Sequence, residues 1–431
     1  MNKHVKEKKG FEKYEPVKKA SAKFLSFLEK SNMTLHVEVV PLKNALDRVL
    51  ATDLKSSINI PPFTRAAMDG YAVISSDVSG ASAKHPAILE IISSVSAGEK
   101  SRIKVTSGKT IAIATGAPMP HGANAVVMLE NTVLDGNNWI KIFEQIKRNK
   151  NVASKGEDVK KGQILIEKGT LLTPQDIGII ASVGINKITV YKKPKVAVFS
   201  TGNELVEPGL KLREASIFES NRYMLSSLVK EFGGEVIDLG ICPDGKDSIR
   251  RRLQQALRYD MVVISGGSSV GTKDFVPEII NEIGRPGILV HGVAMRPGSP
   301  TALAVVNRKP IISAPGYPVS AFFAFLTFGR PALAHMQRTR GKALSTVYAD
   351  ITKTVKLHKE MRTFLRVRLS KSNYQTKYKA EPISASGAFL LSTLTRSNGV
   401  VIIENRAELK KGEKVQVIPL RNISDPIEPF S

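Results

Sequence analysis

Three runs in the second half of the chain carry the residue types that handle anions. They are Ser200-Thr201-Gly202-Asn203-Glu204-Leu205, Ser265-Gly266-Gly267-Ser268-Ser269-Val270-Gly271 with Asp274 beyond it, and Ala314-Pro315-Gly316-Tyr317-Pro318. Gly266, Gly267 and Gly271 have no side chain, so backbone N–H groups can converge on a phosphate or another oxyanion there. Glu204 and Asp274 are hard carboxylates of the kind that hold a divalent cation beside phosphate oxygens or steer a water. A glycine-rich turn is equally an ordinary strand-to-helix connection, but three of them on successive strand ends favour a binding role. None fits the Walker A pattern or the dinucleotide fingerprint, which argues against an ATPase and a Rossmann dehydrogenase. In the first half, Asp69-Gly70 reads by itself as a β-turn before a strand, and Thr115-Gly116-Ala117-Pro118 as a plain loop. The seven His are scattered without a metal-ligand spacing, and Cys242 has no basic neighbour in sequence to activate it.

The elements that must position these runs are legible in the hydrophobic pattern. From 195 onward, strands at 196–199, 235–239, 261–264, 288–290 and 302–306 alternate with helical stretches near 219–232, 246–258, 274–283 and 318–328. Strands as apolar as Met261-Val262-Val263-Ile264 need cover on both faces, so the fold class is multidomain α/β with a doubly wound parallel sheet, small β-rich domains and a C-terminal β-barrel-like domain. In such a sheet ligands gather at the carboxyl ends of the strands, where all three runs fall. Upstream, 21–28 reads as an amphipathic helix, 37–49 as a second short helix, and 88–95, 110–114, 125–129 and 139–143 as strands of a small β-domain. The segment 161–174 has hairpin character and leads into a helix over 175–183, capped by Thr173 with Pro174 in its first turn. The Phe322, Phe323, Phe325, Phe328 set has helical spacing and reads as core or dimer surface. The predicted domains are a disordered basic tail (1–20), an interrupted N-terminal domain (21–50 with 150–193), an inserted β-domain (51–149), the α/β domain (194–337) and a C-terminal β-domain (338–431).

Composition narrows the setting. The 431 residues hold 63 Lys+Arg against 39 Asp+Glu, a formal net charge of +24, and a single Cys. One Cys excludes an internal disulfide framework and multi-Cys metal sites and points to a reducing, cytoplasmic compartment. The most apolar stretch, 319–328, is too short to span a bilayer, so no membrane role is expected. The positive excess favours anionic partners without choosing among them.

Taken in order, Ala67-Met68-Asp69-Gly70-Tyr71-Ala72-Val73, Thr115-Gly116-Ala117-Pro118 with 122–130 ending in Glu130, Gly156-Glu157-Asp158 with Gly162, Ser200 to Leu205, Ser265 to Gly271 and Pro315 to Ser320 resemble the molybdopterin molybdenumtransferase family, which includes bacterial MoeA and the gephyrin E domain. Arg362-Thr363-Phe364-Leu365-Arg366, Ser384-Ala385-Ser386-Gly387 and Asn398-Gly399 extend the resemblance through the C-terminal domain. The resemblance implies a homodimer whose active site lies between the α/β domain of one subunit and the N-terminal domains of the other. It implies molybdenum cofactor biosynthesis: insertion of molybdate or tungstate into adenylyl-molybdopterin with release of AMP and with Mg²⁺ as cofactor. Molybdopterin adenylyltransferase and acceptor apoenzymes would be partners, and nucleic acid would not. By resemblance Asp69, Asp158, Glu204 and Asp274 are catalytic, with Asp69, Glu204 and Asp274 on the metal. Thr115, Gly116, Glu130, Gly266, Gly267, Ser269, Gly271, Arg296, Pro297, Gly298, Ser299, Pro315 and Gly316 bind substrate. Arg362, Arg366 and Ser386 bind the oxyanion.

The chain departs from the family pattern at several of these positions. Asn203 and Asn124 stand where the family usually has Asp, Tyr317 where it has Asn, and Ser268 where it has an apolar residue. Arg296-Pro297-Gly298-Ser299-Pro300 replaces a Lys-Pro-Gly-Lys-Pro stretch, which exchanges one ammonium for a fork-shaped guanidinium and the other for a neutral hydroxyl. The enzyme reading therefore stands beside an alternative, a family member that binds the pterin without turnover and serves as carrier, scaffold or regulator.

Overall fold

Strands buried on both faces are the organising feature of this protein, as a computed structural model shows. It describes residues 14–30, 36–267, 275–339, 344–372, 375–384 and 387–421. The expectations for Ser268, Ser269, Gly271, Asp274, Ser386 and most of the basic tail lie outside the described residues.

The chain forms two compact units, 39–46 with 50–189, and the remainder. In the larger unit a six-stranded sheet runs in the order Glu235–Cys242, Lys195–Thr201, Met261–Ser265, Lys309–Ala314, Ala302–Val306, Pro286–His291. Successive side chains alternate between two cores. Val196, Val198, Met261 and Val263 pack on one face, and Ala197, Phe199, Val262 and Ile264 on the other. Helices Lys246–Ala256 and Val276–Ile283 cover the second face. Helices Asn221–Glu231 and Pro318–Ala324 cover the first. The four strands at the Glu235–Cys242 end are mutually parallel, as the apolar runs predict.

Ala302–Val306 departs from the prediction, because it is antiparallel to both neighbours. The cause is local. Only Asn307 and Arg308 separate it from Lys309–Ala314, with φ of 50° and 66°, and a two-residue turn with both residues left-handed can only reverse the chain into a hairpin.

The first helix, Val17–Lys30, begins earlier than the predicted 21–28. Its buried face, Val17, Ala20, Phe24 and Leu28, belongs to the core of the α/β sheet, whereas the sequence grouped 21–50 with 150–193. The second predicted helix, over 37–49, is instead the strand Val37–Pro41 followed by one 3₁₀ turn, Leu42–Asn44. Three β-branched residues in five and a terminal Pro outweigh the helical spacing there. Phe323, Phe325 and Phe328 are buried core, and Phe322 packs against them.

The C-terminal strands Arg362–Ser372, Gln375–Ser384, Val347–Ile351, Lys414–Pro419 and Gly399–Ile403 close into a five-stranded barrel through pairing of the first with the last. Phe364 of that barrel stacks on Phe323 at 4.5 Å between ring centroids.

The smaller unit is built on a six-stranded sheet in the order Ala125–Met128, Gly70–Val73, Lys109–Ile113, Ala87–Val95, Trp139–Ile142, Thr132–Asp135. Gly70 opens a central strand and is not a turn residue. A Cβ there would collide with the Val127 carbonyl of the adjacent strand, so Gly is the side chain that lets the two backbones meet. Helix Pro174–Ser182 forms as predicted, with Thr173 and Asp176 making a reciprocal capping box.

Phe24 is fully buried in the α/β core. Phe24→Ala is expected to cost about 3–5 kcal/mol, read as a shift of the denaturant midpoint. Cys242 is 1 % exposed and burial pushes its thiol above the usual range. Ellman's reagent should therefore label no thiol in the native protein at neutral pH and one per chain after denaturation.

Candidate active site

A cavity of about 650 Å³ opens at the carboxyl ends of the parallel strands. Its walls come from the ends of four consecutive sheet strands: Thr201 and Gly202, Asp244, Ser265 to Gly267, and Pro315 to Pro318. Of the residues predicted for the site, Glu204, Gly266, Gly267, Pro315 and Gly316 line it. The glycines are sterically required. A Cβ on Gly266, at φ 90°, would lie 2.6 Å from the Thr201 carbonyl, and one on Gly267 would lie 2.5 Å from Val276. Gly266 N–H donates to the Ala314 carbonyl at 3.0 Å, which closes the loop against the next strand.

The lining residues that escaped the sequence reading include three polar ones, Glu219, Asn221 and Asp244. Asn221, 6 % exposed, opens helix Asn221–Glu231. Its Nδ2 donates to Ser265 Oγ at 2.8 Å and to the Gly316 carbonyl at 2.7 Å, tying the helix to two strand ends. Its Oδ1 is buried with no hydrogen-bond partner among the described residues. Glu219, 3 % exposed, accepts the Arg222 N–H at 2.8 Å and so satisfies one of the free donors of that helix start. Asp244 and Asn203 clip the loops after two neighbouring strands together. Asn203 N–H donates to Asp244 Oδ2 at 3.2 Å, and Asp244 N–H donates to Asn203 Oδ1 at 3.1 Å. Asn203 thus serves as a structural partner, and a carboxylate there would set a second negative charge against Asp244. The signal for all three was position, immediately beyond a parallel strand or at a helix start, since no short motif marks them.

Arg222 braces this wall from behind. It is 4 % exposed, bonds both Glu207 oxygens at 2.6 and 2.5 Å and pairs with Asp238. Burial alone would lower its pKa, and the two carboxylates outweigh that, leaving it above the ordinary value.

The stretch Arg296 to Ser299 runs beside the barrel rather than along the cavity, to which only Pro300 contributes. Met295–Arg296 pairs in parallel with Arg362 and Thr363. Gly298, at φ 117°, takes a backbone conformation that residues with a side chain rarely adopt, and its carbonyl accepts from Thr301 Oγ1 at 2.7 Å. Arg296 contacts His358 Nε2. Arg362 Nε donates to Glu404 at 2.6 Å, and its other nitrogen pairs with the same carboxylate. Arg366 has no exposed surface, and burial pushes its pKa down to about 10, so it remains cationic at neutral pH inside the barrel. Neither Arg362 nor Arg366 therefore offers the open guanidinium fork that the sequence reading assigns to oxyanion binding.

The remaining predicted residues belong to the smaller unit and form a cluster of their own. Asp69 Oδ1 accepts the Thr115 N–H at 2.7 Å, and its carbonyl accepts the Leu129 N–H next to Glu130. Gly116 N–H donates to the Ala66 carbonyl, while Ile60 accepts from Asp158 and Val159. Segment 60–69 thus makes backbone contacts with each of the stretches that carry Thr115, Gly116, Glu130 and Asp158. Among the described residues no three His, Cys, Asp or Glu side chains form a ready-made metal cluster, and no helix is long and apolar enough to cross a membrane.

The likenesses of the chain to known proteins follow this geometry. Residues 16–184 match the MoeA N-terminal region (domain I and II), 197–335 a probable molybdopterin binding domain, and 348–420 the MoeA C-terminal region (domain IV). A Methanocaldococcus jannaschii protein provisionally named for molybdopterin biosynthesis is 33 % identical over 411 residues, 93 % of this chain and 95 % of that one. A molybdopterin molybdenumtransferase of Haemophilus influenzae is 32 % identical over 92 % of this chain and 97 % of its own. The crystal structure of a molybdopterin biosynthesis MoeA protein from Pyrococcus horikoshii superposes with a TM-score of 0.81 at 33 % identity, covering 94 % of this chain and all of that one.

Asp244→Ala removes the acceptor of the Asn203 N–H, a hydrogen bond worth about 1 kcal/mol net. Amide hydrogen exchange at 202–204 should accelerate about 3–10-fold while the strand interior stays protected. By its sequence over nearly its whole length and by its fold, the chain belongs to the MoeA family of molybdopterin biosynthesis proteins.

Proposed function

We propose that this chain is a molybdopterin molybdenumtransferase, which takes adenylyl-molybdopterin and molybdate or tungstate, inserts the metal at the dithiolene and releases AMP. The observation that carries the reading is the cavity at the strand ends. Among the described residues that line it are three carboxylates, Glu204, Glu219 and Asp244, and no Lys or Arg. Such a wall repels a bare phosphoanhydride and accepts one whose charge is offset by a divalent cation. Mg²⁺ suits this set, because it needs only one or two protein carboxylates when substrate phosphates supply the remaining oxygens. Glu204 and Asp244 would hold it, with Asp274 as a further ligand by resemblance. When bound, Mg²⁺ offsets the charge that builds on the phosphate oxygens as the anhydride is cleaved.

The residues of the chain divide the rest of the work. Backbone at Gly266 and Gly267 lets the phosphate approach the sheet closely. Asn221 fixes the strand ends against each other, so that the loops meet the substrate already formed. Arg296 and Arg362 lie on paired backbone segments, and an oxyanion bound there would exchange with Glu404 for the Arg362 guanidinium. Asp69, Asp158, Thr115, Gly116 and Glu130 supply a second polar cluster. In a homodimer with the site shared between subunits, that cluster would come from the partner. The single Cys fits a reducing, cytoplasmic setting.

Purified protein supplied with adenylyl-molybdopterin, Mg²⁺ and molybdate should release AMP stoichiometrically with metal insertion. Glu204→Ala and Asp69→Ala should each slow it by about 10²–10³-fold, a span usual for loss of one acid, base or charge-positioning group. Tight pterin binding with no AMP under molybdate or tungstate would instead establish a non-catalytic binder, for which the neutral Ser299 and the committed Arg362 and Arg366 are the structural grounds.

A further inference from the structure

Three exposed aromatic side chains, Phe218, Tyr317 and Phe389, stand at the wall of the cavity, and the last two pair with each other. Tyr317 is 59 % and Phe389 62 % exposed, and both line the cavity. They come from different parts of the chain. Tyr317 sits in the turn between strand Lys309–Ala314 and helix Pro318–Ala324, and Phe389 follows Gly387 near the barrel. The two turns are tied by the Val319 N–H, which donates to the Ala388 carbonyl at 3.1 Å. Their rings lie 6.2 Å apart between centroids at 59°. A third ring slotted between parallel rings needs two contact distances, roughly 7–8 Å. The pair is therefore a platform, against whose open faces a flat ring can lie, and not a sandwich.

A second observation says what kind of ring the cavity takes. Among the described residues the buried Asn221 Oδ1 has no donor, while Nδ2 of the same amide is fully used. With the carboxylates of Glu204, Glu219 and Asp244, the polar side of the cavity is rich in acceptors. A ligand that satisfies it must present N–H groups at the edge of an otherwise flat, apolar face. We propose that Tyr317 and Phe389 are specificity-determining residues that stack a planar, amino-bearing nitrogen heterocycle in this cavity, with its N–H edge turned to Asn221. The inference rests on the proposed function, whose substrate carries two such rings, the pterin and the adenine. Stacking uses ring faces, so the Tyr317 hydroxyl is dispensable.

The test is calorimetric titration with AMP and, separately, with 6-carboxypterin, using ribose 5-phosphate as a ringless control. Tyr317→Asn and Phe389→Ala should each weaken one of the two ring ligands about 10-fold, leave ribose 5-phosphate within 2-fold and leave the melting temperature unchanged. Tyr317→Phe and Phe389→Tyr should bind as wild type does. Loss in the pterin arm assigns the platform to the pterin, and loss in the AMP arm assigns it to the adenine. In turnover the same variants should raise KM for adenylyl-molybdopterin more than they lower kcat. Ring affinities within 2-fold of wild type, binding of neither ring ligand by the wild type, or a changed oligomeric state with unchanged ring affinity would overturn the proposal. The two readings fail separately. Wild type that binds the ring ligand but never releases AMP removes the transferase and leaves the platform, whereas normal turnover with unchanged KM in the variants removes the platform alone.

Discussion

The strands Lys195–Thr201 and Met261–Ser265 have almost no side chain left for solvent, and the remaining features of the α/β unit follow from that. Every residue of Met261–Ser265 is buried, with alternate side chains committed to opposite cores. A strand so enclosed can act only where it ends. The chain must leave the sheet there, its backbone groups lose their ladder partners, and polar residues become affordable again. Ser200, Ser265 and Ser313 mark that transition, being polar, buried and at the last rungs. The glycines that follow are needed for close approach, since Gly266 passes over the Thr201 backbone with no room for a methyl group. Cavity and core are consequences of one burial pattern.

The cationic groups are distributed in the opposite sense. Arg222 is locked between Glu207 and Asp238, Arg362 is held by Glu404, and Arg366 is enclosed by the barrel. Each is an expensive charge to bury, and the carboxylates beside Arg222 and Arg362 also fix the guanidinium plane. For Arg362 the Glu404 carboxylate already occupies the guanidinium, so an oxyanion proposed to bind there would have to exchange with it.

How much of this was legible in the sequence depended on whether the deciding contact was local. The parallel strands were, because an uninterrupted run such as Met261-Val262-Val263-Ile264 admits few other placements. The Thr173 cap was, because capping is decided within four residues. The direction of Ala302–Val306 was not read, although its signal, a two-residue Asn-Arg turn, was present and weak for lack of a Gly. The strand Val37–Pro41 was mistaken for a helix because short apolar spacing fits both periods. In the site, Glu204 and the glycines were found through their loops. Glu219, Asn221 and Asp244 were missed because their roles depend on partners 3, 44 and 41 residues away, of which only the first is visible in a local window. Burial of Arg366 was likewise invisible, since a strand face shows its orientation only once the barrel closes.

The net charge of +24 takes on a different meaning beside an acidic cavity. A uniformly basic pocket would draw in phosphates of every kind and hold them. Here attraction and selection are separated. The surplus of Lys and Arg is concentrated in residues 1–30 and 338–431, at +5 and +10, and none of the described Lys or Arg residues lines the cavity. A field of that sign raises the local concentration of a polyanionic substrate over several ångströms and fades with added salt. The cavity then applies the short-range criterion. Its carboxylates reject an anion that arrives without a compensating cation, and its unsatisfied Asn221 oxygen favours a ligand with N–H groups to give. Under the proposed function a cation-bound inorganic phosphate would meet the first condition and fail the second, whereas a cation-bound phosphorylated amino-heterocycle would meet both. In the proposed function the basic surplus would govern encounter and the carboxylate-lined cavity identity, so the sign of the whole chain says little about the sign of its site.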